Sequence, residues 1–257
     1  RRLFRGFRAR SADAGVVLME WQLKPARDFG LSTRQRLASL TRELGFVATA
    51  THWCWRRLVR GYLRLCHKFT VTGVERLPEP PFVLIANHSS HLDALSLAAA
   101  MPPRLLDSIH PIAAEDTFFT SFASSAFAAL ALNALPLRRR ATKPADLAML
   151  KTRLVEERLV YILFPEGTRS RTGDMAAFKA GIGALVAGTP VPVVPCYLDG
   201  AFAALPPDRR WPRFTRLRLR IGEPLSFADL PSERAAWEGV AQCCEAAVRG
   251  LGGAGGP

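Results

Sequence analysis

The chain has 257 residues, of which 49% are hydrophobic and 22% charged, with five cysteines and a formal net charge of +13. That length buries one substantial core, which argues for one domain with an added N-terminal element. The charge is uneven: residues 1–60 carry 13 Lys or Arg against four Asp or Glu, which favours an anionic surface, and no recognised nucleic-acid-binding module accompanies it, which sets nucleic acid aside.

The N-terminal element spans residues 1–68. Its first ten residues, RRLFRGFRAR, interleave arginines with Leu3, Phe4 and Phe7, as an interfacial segment does when it buries rings and keeps charge among headgroups. A helical region is predicted over 32–68, with Phe46, Trp53, Trp55, Leu58, Tyr62 and Leu65 as anchors and Gly45 dividing it into two helices. The same residues also suit packing against the rest of the fold. Since the first residue is not Met, the expectation is a chain processed, trimmed or excised from a longer one.

Strands are predicted at 69–73 and 82–86, and the second leads into NHSSHLD at 87–93. Five residues turn an ideal helix by roughly 140°, so His88 and Asp93 do not share a helical face. His88 is expected on the strand-to-helix turn, with Ser89 or Ser90 capping a helix over 92–100 and Asp93 reaching back to one imidazole nitrogen. A carboxylate that fixes the imidazole tautomer leaves the other nitrogen able to take a proton from a hydroxyl. Two other readings stand beside it: His88 and His91 as metal ligands, and His88 as a plain turn residue. The five cysteines form no metal pattern, and their odd number with no secretory apolar stretch suits reduced thiols in a cytosol-facing protein.

After a strand at 109–113, residues 117–137 carry no formal charge and are long enough to span a bilayer. Thr117, Ser121, Ser125 and Asn133 argue instead for a buried or interface-lying helix over 121–132, with Phe and Leu side chains toward the core or a lipid phase. Lys143-Pro144 starts a helix over 145–157. A strand at 161–164 then runs into FPEGTRS at 164–170. In that turn Gly167 relaxes the backbone, Thr168 offers a hydroxyl, and Arg169 and Arg171 offer paired donors to an anion. It lacks the spacing of a nucleotide P-loop, and two arginines on a turn also describe an ordinary solvated surface. Glu166 either holds an arginine or positions an acceptor hydroxyl. A helix over 178–187 stops at Gly188-Thr189-Pro190, strands follow at 191–196 and 216–221, and a helix covers 232–249. In the last strand Arg216, Arg218 and Arg220 alternate with leucines as solvent or headgroup contacts. The order is that of an α/β domain over 69–249, with a glycine-rich, disordered tail at 250–257.

Over residues 69–223 the chain resembles the glycerolipid acyltransferases of the PlsC type, typified by 1-acylglycerol-3-phosphate acyltransferase. The first family motif falls on Asn87, His88 and Asp93, and the third, Phe-Pro-Glu-Gly-Thr-Arg-Ser, is whole at 164–170. The second falls on 135–138 and lacks the family's glycine before Arg138; the fourth is similar to 191–195. The resemblance implies a mixed sheet flanked by helices, with an amphipathic N-terminal membrane-binding element. It implies His88 as base, Asp93 as its orienting carboxylate, and Arg138, Glu166, Gly167, Thr168 and Arg169 as acceptor and phosphate contacts. The strand at 191–195 is expected to help form the acyl or donor pocket. The reaction implied is direct transfer from acyl-CoA or acyl carrier protein to a lyso-lipid, with no metal and no other cofactor. Lysophosphatidic acid is the expected acceptor; a lyso-ornithine lipid and glycerol 3-phosphate are the rivals, and a non-catalytic lipid-binding protein is the alternative from another class. The expected location is the cytoplasmic face of the inner or plasma membrane, as a peripheral or monotopic protein on an anionic surface.

Overall fold

The computed structural model describes residues 9–11, 17–19, 26–43, 45–138 and 143–253. The arginine-rich start at 1–8, with Arg139 and Arg140, lies outside them. Two short strands, β1 (Ala9–Ser11) and β2 (Val17–Met19), pair antiparallel. Two helices follow, α1 (Thr33–Leu37) and α2 (Phe46–His67). Ser32 and Gln35 start the first with a reciprocal capping box. Gly45 caps the second as expected, but the first already ends at Leu37, so residues 38–43 of the predicted helical region are turn and loop. Lys68, in the left-handed region at φ 47°, ends it and turns the chain into the sheet.

That sheet has seven strands: β3 (Thr70–Thr72), β4 (Phe82–Ala86), β5 (Ile109–Ala114), β6 (Leu135–Leu137), β7 (Val160–Leu163), β8 (Val193–Asp199) and β9 (Arg218–Ile221). Their spatial order is β3-β9-β8-β4-β7-β5-β6. From β8 to β6 the strands run parallel, whereas β9 is antiparallel to β8 and β3 runs with β9. The helices between them are α3 (Asp93–Ala100), α4 (Glu115–Phe118), α5 (Phe122–Ala126), α6 (Pro144–Glu156), α7 (Gly181–Val186) and α8 (Ala201–Ala204), and α9 (Arg234–Gly253) closes the chain.

All five residues of β4 are fully buried, because helices cover both faces of the sheet and a strand between them has no wet side. Phe82, Leu84 and Ala86 face the layer of α2 and α3, with Val59, Leu63 and Leu97. Val83 and Ile85 face the opposite layer, with Leu150 and Leu154 of α6, Leu185 of α7 and Val240 of α9. Each such aliphatic side chain contributes about 1.5–3 kcal/mol on burial. The two layers hold the ends of the central strands in fixed register.

Three further expectations need correction, and one strand was not foreseen. The stretch 121–132 is not one helix: α5 runs into a single π-helical turn at Phe127–Ala131. Ala128, Ala129 and Ala131 are its buried residues while Phe122 and Phe127 are exposed, since small side chains let the backbone approach α2 closely. Residues 135–137 form β6, beside β5. Leu92 rather than Ser89 or Ser90 is the N-cap of α3, and Ser90 acts just ahead of it, its Oγ accepting the Leu92 N–H at 3.1 Å. Helix α9 continues past Arg249 through Gly253, because the Arg220 guanidinium takes the carbonyls of Leu251 and Gly252, which lack helical partners. The remaining tail, 254–257, lies outside the described residues. Among the described residues no helix is long and apolar enough to cross a membrane.

Candidate active site

Parallel strands bring their C-terminal ends to one edge, where open α/β sheets hold ligands. His88 follows β4 there, Glu166 follows β7, Glu115 follows β5 and Arg138 follows β6. Asp93, the first residue of α3, is completely buried and turns its carboxylate back over the preceding turn. Its Oδ2 accepts from His88 Nδ1 at 2.8 Å, from the Ser89 backbone N–H at 2.7 Å and from the Ser90 backbone N–H at 2.8 Å. A carboxylate at a helix start also lies at the positive end of the helix dipole. With Nδ1 carrying its proton toward Asp93, Nε2 presents the lone pair. The imidazole stacks on Phe164, with ring centroids 4.1 Å apart and planes 17° from parallel, so it cannot swing away from the carboxylate without losing that face.

The turn after β7 is fastened to this histidine from behind. Glu166 is buried; one oxygen accepts the His88 backbone N–H at 2.7 Å and the other accepts the Ala176 N–H at 2.9 Å. Burial pushes its carboxyl above the usual range, against the pull of those two donors. The Ser170 N–H returns a bond to the His88 carbonyl at 2.8 Å. Gly167 stands at φ 76°, and a Cβ there would lie 2.6 Å from Lys179 Nζ. Lys179 thus brings its ammonium against the glycine turn, a cation the motif reading missed; the only signal was its place in FKAG, nine residues after the motif's last serine.

Arg169 is half-buried and its guanidinium lies against the His91 ring, so both follow from one turn onto the other. Burial, and then the Arg169 charge, push His91 below its ordinary value and keep the ring neutral. Thr168 is exposed on the same turn. Arg138 shares the sheet edge, but three strands from β4, about 14 Å at the usual interstrand spacing. It pairs with Glu115, Nε to Oε2 at 2.7 Å and Nη2 to Oε1 at 3.4 Å. Val193 and Val194, within the fourth motif, are fully buried beside β4. Asn87 ties the same strands: its Oδ1 accepts the Leu198 N–H at 2.8 Å and its Nδ2 donates to the Leu198 carbonyl at 3.1 Å. Among the described residues no three His, Cys, Asp or Glu side chains gather as a metal shell.

Fold and site together define an α/β protein that holds an imidazole, oriented by a buried carboxylate, at the C-terminal edge of a largely parallel sheet, next to a cationic glycine turn. The chain belongs to the Acyltransferase family, whose sequence pattern matches residues 68–199. It is 32% identical to 1-acyl-sn-glycerol-3-phosphate acyltransferase beta of Homo sapiens over 129 residues, 50% of this chain and 45% of that protein. It is 30% identical to the alpha enzyme of Mus musculus over 159 residues, 60% of this chain and 53% of the other. The chain therefore spans about half the length of these relatives. Its fold is also that of the crystal structure of the 1-acyl-sn-glycerophosphate (LPA) acyltransferase PlsC from Thermotoga maritima, with a TM-score of 0.60 over 80% of this chain and 78% of that one at 24% identity.

Proposed function

We propose that the protein transfers an acyl group from an acyl thioester, carried by coenzyme A or acyl carrier protein, to the hydroxyl of a lyso-lipid, with lysophosphatidic acid as the acceptor. The observation that carries this reading is the His88 Nδ1 to Asp93 Oδ2 bond, on an oxygen that two backbone N–H groups also hold. His88 Nε2 takes the acceptor's hydroxyl proton as its oxygen attacks the thioester carbonyl. The C–S bond then breaks and the imidazolium returns the proton to the departing thiolate. Asp93 stabilises the imidazolium without itself taking the proton. No covalent acyl-enzyme is needed, because thioester alcoholysis requires one base, placement of the two substrates and a site for carbonyl charge.

Arg169 and Lys179 supply the cationic surface for an acceptor phosphate, with Gly167 and Thr168 lining the turn. Glu166 acts through the backbone, setting the height of the FPEGTRS turn against His88. Arg138, held by Glu115, serves the far side of the same edge. The basic, aromatic element at 1–68 rests on an anionic membrane at its cytoplasmic face, so that a lyso-lipid reaches the site without leaving the bilayer.

Arg169→Ala is expected to reduce transfer to lysophosphatidic acid by about tenfold to a hundredfold, the weight of one charge-assisted contact, and to affect a zwitterionic lyso-ornithine lipid far less. Product formation with each acceptor, followed by mass spectrometry, measures this. Equal losses with both acceptors would remove the phosphate from the assignment.

A further inference from the structure

The loop between α8 and β9 contains Arg209, Arg210, Arg213 and Arg216 against the single acid Asp208. It also holds two large rings in water: Trp211 is 82% exposed and Phe214 is 74% exposed. Both rings stand largely in water, yet the loop is tied to the fold. The Arg213 N–H bonds the Ala204 carbonyl at 2.7 Å, and His67 Nδ1 donates to the Thr215 carbonyl at 3.0 Å. Phe214 meets the buried His67 ring edge-on at 6.1 Å.

The loop reaches the active site at one end and α2 at the other. Ser90 Oγ donates to the Leu205 carbonyl at 2.7 Å, and His91 Nε2 lies 3.4 Å from the Pro207 carbonyl. Helix α2, whose last turn the loop covers, is buried on one side and carries apolar side chains in water on the other. His52, Val59 and Leu63 are buried, while Val47, Leu58 and Leu65, spaced by eleven and seven residues on the other face, are 75%, 64% and 85% exposed. Arg57 stacks on the exposed Trp53 beside that stripe, its guanidinium 3.9 Å from the ring centroid.

We infer that the loop at 206–216 is a second bilayer contact, bordering the His91 and Arg169 side of the site and seated on an anionic lipid surface. Exposed Trp and Phe rings flanked by arginines fit the interfacial layer, where rings are buried to headgroup depth and guanidinium groups meet lipid phosphates. The positive surplus matches anionic headgroups. The contact deepens the reading proposed above, since the loop borders the His91 and Arg169 side of the site, where a bilayer-resident acceptor would enter.

The test uses the full chain and its Trp211→Ala/Phe214→Ala variant, with Trp211→Ser alone as a second variant that leaves the His67 contact in place. Partition is measured by sedimentation with phosphatidylcholine vesicles with and without phosphatidylglycerol. Acyl transfer is measured with a vesicle-embedded long-chain acceptor and with a soluble short-chain one. The double variant should lose about tenfold in partition to anionic vesicles, and Trp211→Ser a smaller part of that. Arg209→Gln/Arg213→Gln should lose about fivefold per arginine on anionic vesicles only. Transfer to the embedded acceptor should fall with partition while transfer to the soluble one stays. Unchanged partition in the double variant overturns the proposal. Unchanged partition with a raised KM for acyl-CoA on both acceptors would assign the loop to the donor's nucleotide instead. A wild-type protein that acylates nothing would end the acyl-transfer reading, and partition alone would still decide the loop.

Discussion

One oxygen of Asp93 serves two purposes: it holds the turn through Ser89 and Ser90 and it orients His88. Asp93→Asn can keep one oxygen acceptor for all three donors but removes the charge that stabilises the imidazolium, so transfer should fall by about a hundredfold to ten-thousandfold with little loss of fold. Initial rates and melting curves on the same preparation check this; a rate within a few-fold of wild type would remove Asp93 from the mechanism. This pair was legible in the sequence because its geometry is local, five residues within one turn. The place of Glu166 was not. Its bonds go to backbone N–H groups, one of them 78 residues away at His88, and a sequence motif carries no sign of which partner a carboxylate meets. The same holds for Lys179, brought to Gly167 by the return of the chain from Pro165, whose carbonyl accepts the Lys179 N–H.

Among the elements, α7 shows how closely the layer behind the sheet is packed. A Cβ on Gly183 would lie 2.4 Å from the Trp237 backbone of α9, whereas one on Gly181 would meet nothing within 4 Å. Gly183→Ala should therefore cost about 1–3 kcal/mol through overpacking, while Gly181→Ala should be neutral or stabilise by up to about 1 kcal/mol through helix propensity. Denaturant midpoints for the two variants decide it, and equal shifts would contradict the packing described. The buried strands β4 and β7 were legible from short apolar runs bounded by turn residues. β6 was not: three residues with a central proline show no alternation, and Pro136 belongs in a strand only because β6 is the sheet edge. The helix expected at 121–132 failed for a related reason, since a π-turn resets the helical phase and puts alanines inward and phenylalanines outward.

The whole molecule carries several histidines that folding keeps neutral. His110, fully buried on β5, is pushed down to about 3 by burial from an ordinary value of 6.5. Its Nδ1 donates to the Ser108 carbonyl and its Nε2 accepts from Asn133. His52 and His67 are also lowered, first by burial. Between pH 6.5 and about 3 the unfolded chain binds a proton at His110 that the folded chain refuses, so stability falls as the pH falls through that window. One such group contributes at most about 1.4 kcal/mol per pH unit. Unfolding free energies from pH 7 downward should show this slope flattened in His110→Gln; parallel curves would contradict a neutral buried ring. The α/β order and the basic start were visible from periodicity and charge, whereas the loop at 206–216 acquires its meaning only where the fold sets it between α2 and the active-site turn.

The central claim is tested most directly by mass-spectrometric detection of products from wild-type and His88→Ala protein. Each is supplied with lysophosphatidic acid, lyso-ornithine lipid and glycerol 3-phosphate, and with acyl-CoA and acyl carrier protein donors. The account predicts acylation of lysophosphatidic acid that disappears in His88→Ala while vesicle binding persists. Undiminished transfer by His88→Ala, or folded wild-type protein that binds vesicles and acylates none of the three, would contradict it.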